Sequence, residues 1–204
     1  VVKLEPISAR RAAIIEAALR VLARDGIAET TTRKIAAEAQ VNQAMLRYYF
    51  GSKDDLLFAV LQTLMQQTGE IVGSVGFEGR TLPEAIAHGL RAFWSHVESY
   101  PEQQIIQYEL TLYALRHPES AWLARQQYDG YCAVVEALFE KAMQDTEQTC
   151  AIPATELARF VVAGIDGLIL QFISDRDTVR ARRDLEHLIA SVTLLALHST
   201  GQPS

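Results

Sequence analysis

Apolar residues recur three and four positions apart along nearly the whole chain, and nowhere does a run alternate for long enough to build a sheet. Such a chain must pack helix against helix. The stripes can be followed in order. Ile15, Ala18, Leu19 and Leu22 form the first, with Ser8 as its expected cap and Gly26 as its stop in a left-handed conformation. Ile35, Ala36 and Ala39 follow a start at Thr31 or Thr32. Asn42 caps a short third helix through Met45, Leu46 and Tyr49, and Ser52 caps a long fourth through Leu57, Val60, Leu61 and Leu64. Beyond the glycine-rich stretch 73–79 come stripes at 82–97, ending before Pro101, and at 105–113, ending before Pro118. Three more run from Trp122 to Met143, from Pro153 through Phe172, and from Leu185 through Leu195. The expectation is an all-α protein of about nine helices. The charged segment Asp175–Asp184 reads as a solvated connection. With 49% apolar residues the chain can bury a sizeable core, and its 11 glycines and 6 prolines leave the helices largely unbroken.

Net charge looks wrong for a nucleic-acid binder until it is divided along the chain. The whole carries −6, but residues 1–53 hold nine Lys/Arg against five acids, a balance of +4. The remainder therefore carries −10. A basic head on an acidic body binds phosphates with one end while DNA repels the other. Cys132 and Cys150 form no disulfide framework and suit the reducing cytoplasm. No signal peptide is evident, and the greasy run Phe160–Ile173 is short and interrupted by Asp166, so no membrane partner is expected.

The most informative stretch runs from Thr31 to Lys53. Two short helices joined by a tight turn form a helix-turn-helix, whose second helix lies in the major groove with its first residues at base edges. Ile35, Val41, Leu46 and Phe50 would be the shared core, and Ala36, Ala37 and Ala39 allow close approach. The side chains left outside suit DNA. Gln43 can pair with adenine, an arginine with guanine or phosphate, and tyrosine hydroxyls and a lysine with phosphates.

The run TTRKIA followed by VNQAMLRYYFGSKDDL closely resembles the DNA-binding signature of the TetR family, over roughly residues 10–60. The resemblance implies that Thr32, Arg33, Gln43, Ala44, Arg47, Tyr48, Tyr49 and Lys53 contact double-stranded operator DNA. Arg33 would reach bases, while Tyr49 and Lys53 would hold phosphates. It also implies a DNA-binding domain at 1–53 and a ligand-binding and dimerisation domain at 54–204. Two positions depart from the family pattern. Gln40 stands where glycine is common, and a non-glycine residue in the left-handed region costs on the order of 1 kcal/mol. Arg47 stands where tyrosine is common, which opens a further guanine or phosphate contact.

In the body, the small residues Gly164 and Gly167 allow close helix approach, and Leu168, Phe172, Leu188, Val192 and Leu195 supply apolar area. By resemblance, the two C-terminal helices of two copies form a four-helix dimer interface; capping of the chain's own core would use the same residues. Phe93, Trp94, Tyr108, Tyr113, Trp122, Tyr128 and Tyr131 concentrate in the middle of the body. They could line an effector cavity with His96, Gln107, Glu109, Gln127 and Asp166 as polar anchors, or simply pack a core. This part loosely resembles the choline-responsive branch of the family, and aromatic cages bind quaternary ammonium groups. Lipophilic drugs, antibiotics and fatty acyl compounds suit it equally. No phosphate loop, nucleophile elbow or paired-histidine metal motif occurs, so neither an enzyme nor a cofactor is expected. The expectation is a ligand-responsive regulator: a homodimeric repressor that a small-molecule effector releases from a palindromic operator.

Overall fold

The computed structural model describes residues 7–74 and 76–198, and among them every regular element is helical. In chain order these are α1 (Ile7–Glu29), α2 (Thr32–Glu38), α3 (Gln43–Phe50), α4 (Lys53–Gly73), α5 (Leu82–Ser99) and α6 (Pro101–Arg116). A 3₁₀ turn at Pro118–Ser120 leads into α7 (Ala121–Thr146), α8 (Ala154–Asp175) and α9 (Thr178–Leu197). The chain divides into two compact units. One joins residues up to 66 with 102–127, and the other joins 67–101 with residues from 128 onward.

The core of the first unit is the shared interior of α1 to α4 and one face of α6. Ile14, Ala18, Val21 and Leu22 of α1 meet Ile35 and Ala36 of α2, Leu46 and Phe50 of α3, Leu56 to Leu64 of α4, and Ile106 and Leu110 of α6. Local chemistry sets the breaks. Gly26 adopts φ 71°, ψ 168°, a region open essentially to glycine, and kinks α1 before its last turn. Its φ is positive as expected, but the helix resumes for one more turn rather than stopping. The cap expected at Ser8 lies outside the residues whose side chains are described. Thr31 caps α2 by accepting the Lys34 N–H at 3.2 Å, and Asn42 caps α3 by accepting the Met45 N–H at 2.8 Å. Ser52 accepts the Asp55 N–H at 3.1 Å ahead of α4. Gln40 turns the chain between α2 and α3 with φ 54°, the left-handed geometry anticipated at that position.

In the second unit, α5 and α8 both pack on α9. Leu82, Ile86, Trp94 and Val97 are buried along α5, Leu157, Val161, Ile165, Ile169 and Phe172 along α8, and Leu185, Ile189, Val192 and Ala196 along α9. The Trp94 and Phe172 rings lie 5.7 Å apart. The segment Asp175–Asp184 differs from its reading as a connection. Asp177 caps α9 by accepting the Arg180 N–H at 3.0 Å, and Arg180 bridges Asp175 at 2.7 Å and Asp184 at 3.5 Å. The charges alternate because they stitch the first turns of a helix. By length and composition, α8 is apolar enough to cross a membrane, Asp166 notwithstanding. In this fold one edge of it is core, and the opposite face keeps Phe160 and Leu170 exposed.

Candidate nucleic-acid interface

The first unit sorts its charges into two groups. Arg20 pairs with Glu38 at 2.8 Å, Arg24 with Asp25 at 2.8 Å and with Glu38 at 3.1 Å, and Lys34 with Asp25 at 3.1 Å. These partners hold the Asp25 and Glu38 carboxyls below the usual carboxylate range, hydrogen bonding from the arginines being the largest cause. Both acids are thereby paired, by Arg24 within α1 and by Arg20, Arg24 and Lys34 between α1 and α2. Arg33 and Arg47, by contrast, are exposed and make no ion pair among the described residues.

The caps place these arginines. Thr31 and Asn42 hold the first turns of α2 and α3, so Thr32 and Arg33 start one helix and Gln43 and Ala44 start the other. Arg33, Gln43, Ala44 and Arg47 are exposed, Thr32 is half-buried, and Tyr48 is 76% exposed. An aromatic side chain that open to water is uncommon in a packed helix and suits a surface awaiting a partner. Tyr49 is half-buried, edge-on to Tyr48 at 5.2 Å. Lys53 opens α4 with its ammonium 5.3 Å from the centre of the Tyr113 ring. Burial there lowers the Lys53 pKa, while Asp54 opposes the shift. The neighbouring Asp54 accepts a hydrogen bond from the Tyr113 hydroxyl at 3.1 Å and another from Ser120.

The seven aromatics of the body fall in both units. Tyr108, Tyr113 and Trp122 belong to the first, and Phe93, Trp94, Tyr128 and Tyr131 to the second. Trp94 is buried, with its indole N–H donated to Glu98 at 2.9 Å. Trp122 is partly exposed beside Phe58, ring centres 5.1 Å apart. Tyr128 and Tyr131 meet edge to face at 5.8 Å, and burial with a hydrogen bond to Asp166 pushes the Tyr128 phenol far up. Phe93 and Tyr108 are half-buried. Among the proposed anchors, Gln107 and Gln127 are buried in the first unit, where Gln127 donates to the Gln107 carbonyl at 3.2 Å. Glu109 accepts the Ile27 backbone N–H. His96 is buried against Tyr100. Sequence reading passed over Gln104 and Thr111, which complete that buried polar face. Their spacing with Gln107 on α6 was the signal available. Burial raises the thiol pKa of Cys132 and of Cys150, which keeps both protonated and unreactive.

The residues marked for a dimer interface divide by burial. Phe172 and Val192 are core, and Leu168, Leu188 and Leu195 are half-buried. A Cβ on Gly164 would lie 2.6 Å from Leu188 Cδ1, so that glycine serves the approach of α8 to α9 within the chain, whereas Gly167 faces open space. With Gly167, the exposed face of α8 carries Phe160, Ala163 and Leu170, and α9 exposes Leu194 and Leu197.

Comparison with known proteins matches both parts of the chain. A family model described as bacterial regulatory proteins, tetR family, covers residues 14–60. A second, described as tetracyclin repressor-like, C-terminal domain, covers residues 82–193. The nicotine-responsive transcriptional repressor HdnoR of Paenarthrobacter nicotinovorans is 32% identical over 181 residues, spanning 88% of this chain and 92% of that protein. The transcriptional regulator BetI of Brucella canis is 28% identical over 204 residues, 100% of this chain and 97% of its own length. Among solved structures, the multidrug binding protein EbrR complexed with imidazole superposes with a TM-score of 0.68 at 28% identity, covering 95% of this chain and 93% of that one. EbrR has also been solved with ethidium.

Proposed function

The chain belongs to the tetR family of bacterial regulatory proteins and is a helix-turn-helix transcriptional regulator rather than an enzyme, and we propose that it is a cytoplasmic repressor that binds a palindromic operator as a homodimer and leaves it when a small molecule binds. The observation that carries this reading is the division of charge in the first unit. Structural arginines are paired, while Arg33, Gln43, Arg47 and Tyr48 stand exposed on the first turns of α2 and along α3. Arg33 and Gln43 read bases. Lys53 and Tyr49 hold phosphates, and Thr32 positions α2 on the backbone.

One such head spans only a few base pairs, so two copies share a two-fold operator. The apolar face of α8 around Gly167, continued by Leu194 and Leu197 of α9, supports a dimer surface. Phe172 and Val192 act from beneath, holding the two helices together.

For the effector, the relatives point to organic bases and cations: one is named for nicotine, another was crystallised with ethidium. In this chain the edge-to-face pair Tyr128 and Tyr131 beside Asp166 supplies an aromatic surface and a negative charge, the combination that attracts such molecules. The effector must bind the released form more tightly than the operator-bound form, because only differential affinity shifts the equilibrium.

The test is fluorescence anisotropy of the purified chain on labelled duplex from its own upstream region, at two salt concentrations, with Arg33→Ala alongside and nicotine as first effector. Selective binding that weakens steeply with salt, fails in the variant and is reversed by an organic base is the expected result. Absence of a preferred sequence even after selection from random duplexes would overturn the operator reading. Joint binding of base and duplex without mutual weakening would overturn the release mechanism.

A further inference from the structure

Next to the edge of α6 that joins the head core, the fold buries a polar face. Gln104, Gln107 and Thr111 follow one another at helical spacing and are 5%, 7% and 7% exposed; Gln127 of α7, 2% exposed, closes against them. Burying three carboxamides and a hydroxyl is costly unless each polar atom finds a partner. Most do. Gln127 Nε2 donates to the Gln107 carbonyl at 3.2 Å. The Thr111 hydroxyl has the Gln127 Oε1 at 2.7 Å and the Gln107 carbonyl at 3.0 Å as acceptors. Gln107 Nε2 lies 3.4 Å from the Gln103 carbonyl and 3.4 Å from Gln104 Oε1.

That last pair fixes the orientation of Gln104. The Gln107 amide nitrogen is held on a backbone carbonyl, so the group facing it must be an acceptor. Turning Gln104 over would set one N–H group against another. Gln104 therefore directs Nε2 away from the network, and this nitrogen is buried with no hydrogen-bond partner among the described residues. A leucine or methionine would fill the same space without the cost. The charged residues of α6, Glu102, Glu109 and Arg116, all fall on the far side of the helix from this face, so a buried anion would find no counter-charge on this helix. A donor pair with no formal charge beside it does not attract a cation.

We propose that Gln104 Nε2 is the donor of an effector subsite for an uncharged hydrogen-bond acceptor, such as a carbonyl, an ether oxygen or a pyridine-type nitrogen. Gln107, Thr111 and Gln127 are its positioning residues: they hold the Gln104 amide in one orientation. The proposal rests on the reading that the chain responds to a small molecule, but not on that molecule being a cation.

The experiment is calorimetric titration of the full chain and of Gln104→Met with two matched pairs. Nicotine and 1-methyl-2-phenylpyrrolidine share the amine and differ in the ring nitrogen. The neutral pair, 1-phenyl-2-pyrrolidinone and 1-phenylpyrrolidine, differs in the carbonyl. In each pair that binds, the acceptor-bearing member is expected to bind the natural chain about tenfold more tightly, a difference of about 1.4 kcal/mol. Gln104→Met should erase the difference while leaving the weaker member's affinity unchanged, and its melting temperature should hold or rise, since a buried unpaired group has gone. Should Gln104→Met not fold, Gln104→Leu also removes the donor without adding a titratable group and must likewise lose the preference. A preference seen only in the neutral pair would support the subsite and overturn the cationic effector. Equal affinity within each binding pair, a preference that survives in Gln104→Met, or no binding of any of the four would overturn the subsite, leaving the amide to a buried water only.

Discussion

The carboxylate of Glu109 accepts the backbone N–H of Ile27 at 2.9 Å, immediately after the Gly26 kink. One turn further along α6, the Tyr113 hydroxyl donates to Asp54. Residues four apart on one helix thus hold the end of α1 and the start of α4. Glu109→Ala leaves a part-buried N–H without its acceptor and should cost about 1.5–3 kcal/mol, while Glu109→Gln keeps an acceptor oxygen and should cost about 1 kcal/mol or less. Urea denaturation of the three proteins checks this. Equal losses for alanine and glutamine would show that the charge, not the acceptor, matters.

Much of this head was legible because its chemistry is local. A capping oxygen sits three residues before the N–H that it accepts, so Asn42 and Ser52 announced themselves, while the left-handed turn at Gln40 was marked by the resemblance to a family pattern with glycine there. What was not legible depends on neighbours distant in sequence. Periodicity says which face of α8 and α9 is apolar but not what covers it, so Phe172 and Val192, read as interface, are core, and Gly164 faces Leu188 of the same chain. The same limit hid the second buried face of α6. Polar residues at helical spacing give no sign of burial until another helix covers them, as Gln127 of α7 covers Thr111. Asp175–Asp184 misled for a related reason: charges that pair along a helix look, in sequence, like charges that face water.

Gln40 is exposed and has φ 54°. Replacement by glycine removes the left-handed penalty, on the order of 1–2 kcal/mol, and adds the entropy of a freer unfolded chain, roughly 0.5–1 kcal/mol. Gln40→Gly should therefore stabilise the protein by about 0.5–1 kcal/mol with operator affinity unchanged. A loss of stability in the same denaturation series would mean that the Gln40 side chain contributes something its exposure does not suggest.

The base-reading and phosphate-holding roles separate in a binding matrix. Arg33→Ala and Gln43→Ala should flatten the preference among operator variants, each by about 1–3 kcal/mol at the affected base pair. Lys53→Ala should weaken all duplexes alike and reduce the salt slope by about one charge. Tyr49→Phe should also act uniformly, through one lost phosphate hydrogen bond. A change in base preference from Lys53→Ala larger than its change in mean affinity would reverse these assignments.

Acid should loosen the second unit at α5 and α9. Arg182 donates to Glu98 at 2.9 and 2.6 Å, and Trp94 adds a third donor at 2.9 Å. Arg91 pairs with Glu186 at 2.8 and 2.6 Å. Arginine hydrogen bonding is the largest cause holding both carboxyls below the usual glutamate range. A depressed carboxyl contributes stability that is fully present above its unfolded value, about 4.3, and is lost as pH falls through the lower folded value. Melting temperature should thus be flat from pH 7 to 5 with respect to these pairs and drop below about pH 4. In Glu98→Gln the drop should be shallower. An equally steep acid limb in that variant would assign the acid sensitivity to other carboxylates.

Two glycines one helical turn apart on α8 should respond in opposite ways. A Cβ on Gly164 would stand 2.6 Å from Leu188 Cδ1 and 3.1 Å from Cδ2, but these are the ends of a flexible, half-buried side chain. Gly164→Ala is expected to cost little, because Leu188 can swing and the helix gains propensity. Gly164→Val brings branches that Leu188 cannot clear and should cost about 1–3 kcal/mol through overpacking. Gly167 has nothing within 4 Å, so Gly167→Arg should leave the helical content of the chain intact. If the face bearing Phe160, Gly167 and Leu170 meets its counterpart in a second copy, that arginine places like charges against each other across a two-fold axis and should drive dimer to monomer. Sedimentation velocity at several concentrations, beside circular dichroism, reads both effects. Gly167→Arg that remains dimeric at every concentration would move the interface elsewhere. Gly164→Val that dissociates without losing stability would return Gly164 to the surface between copies.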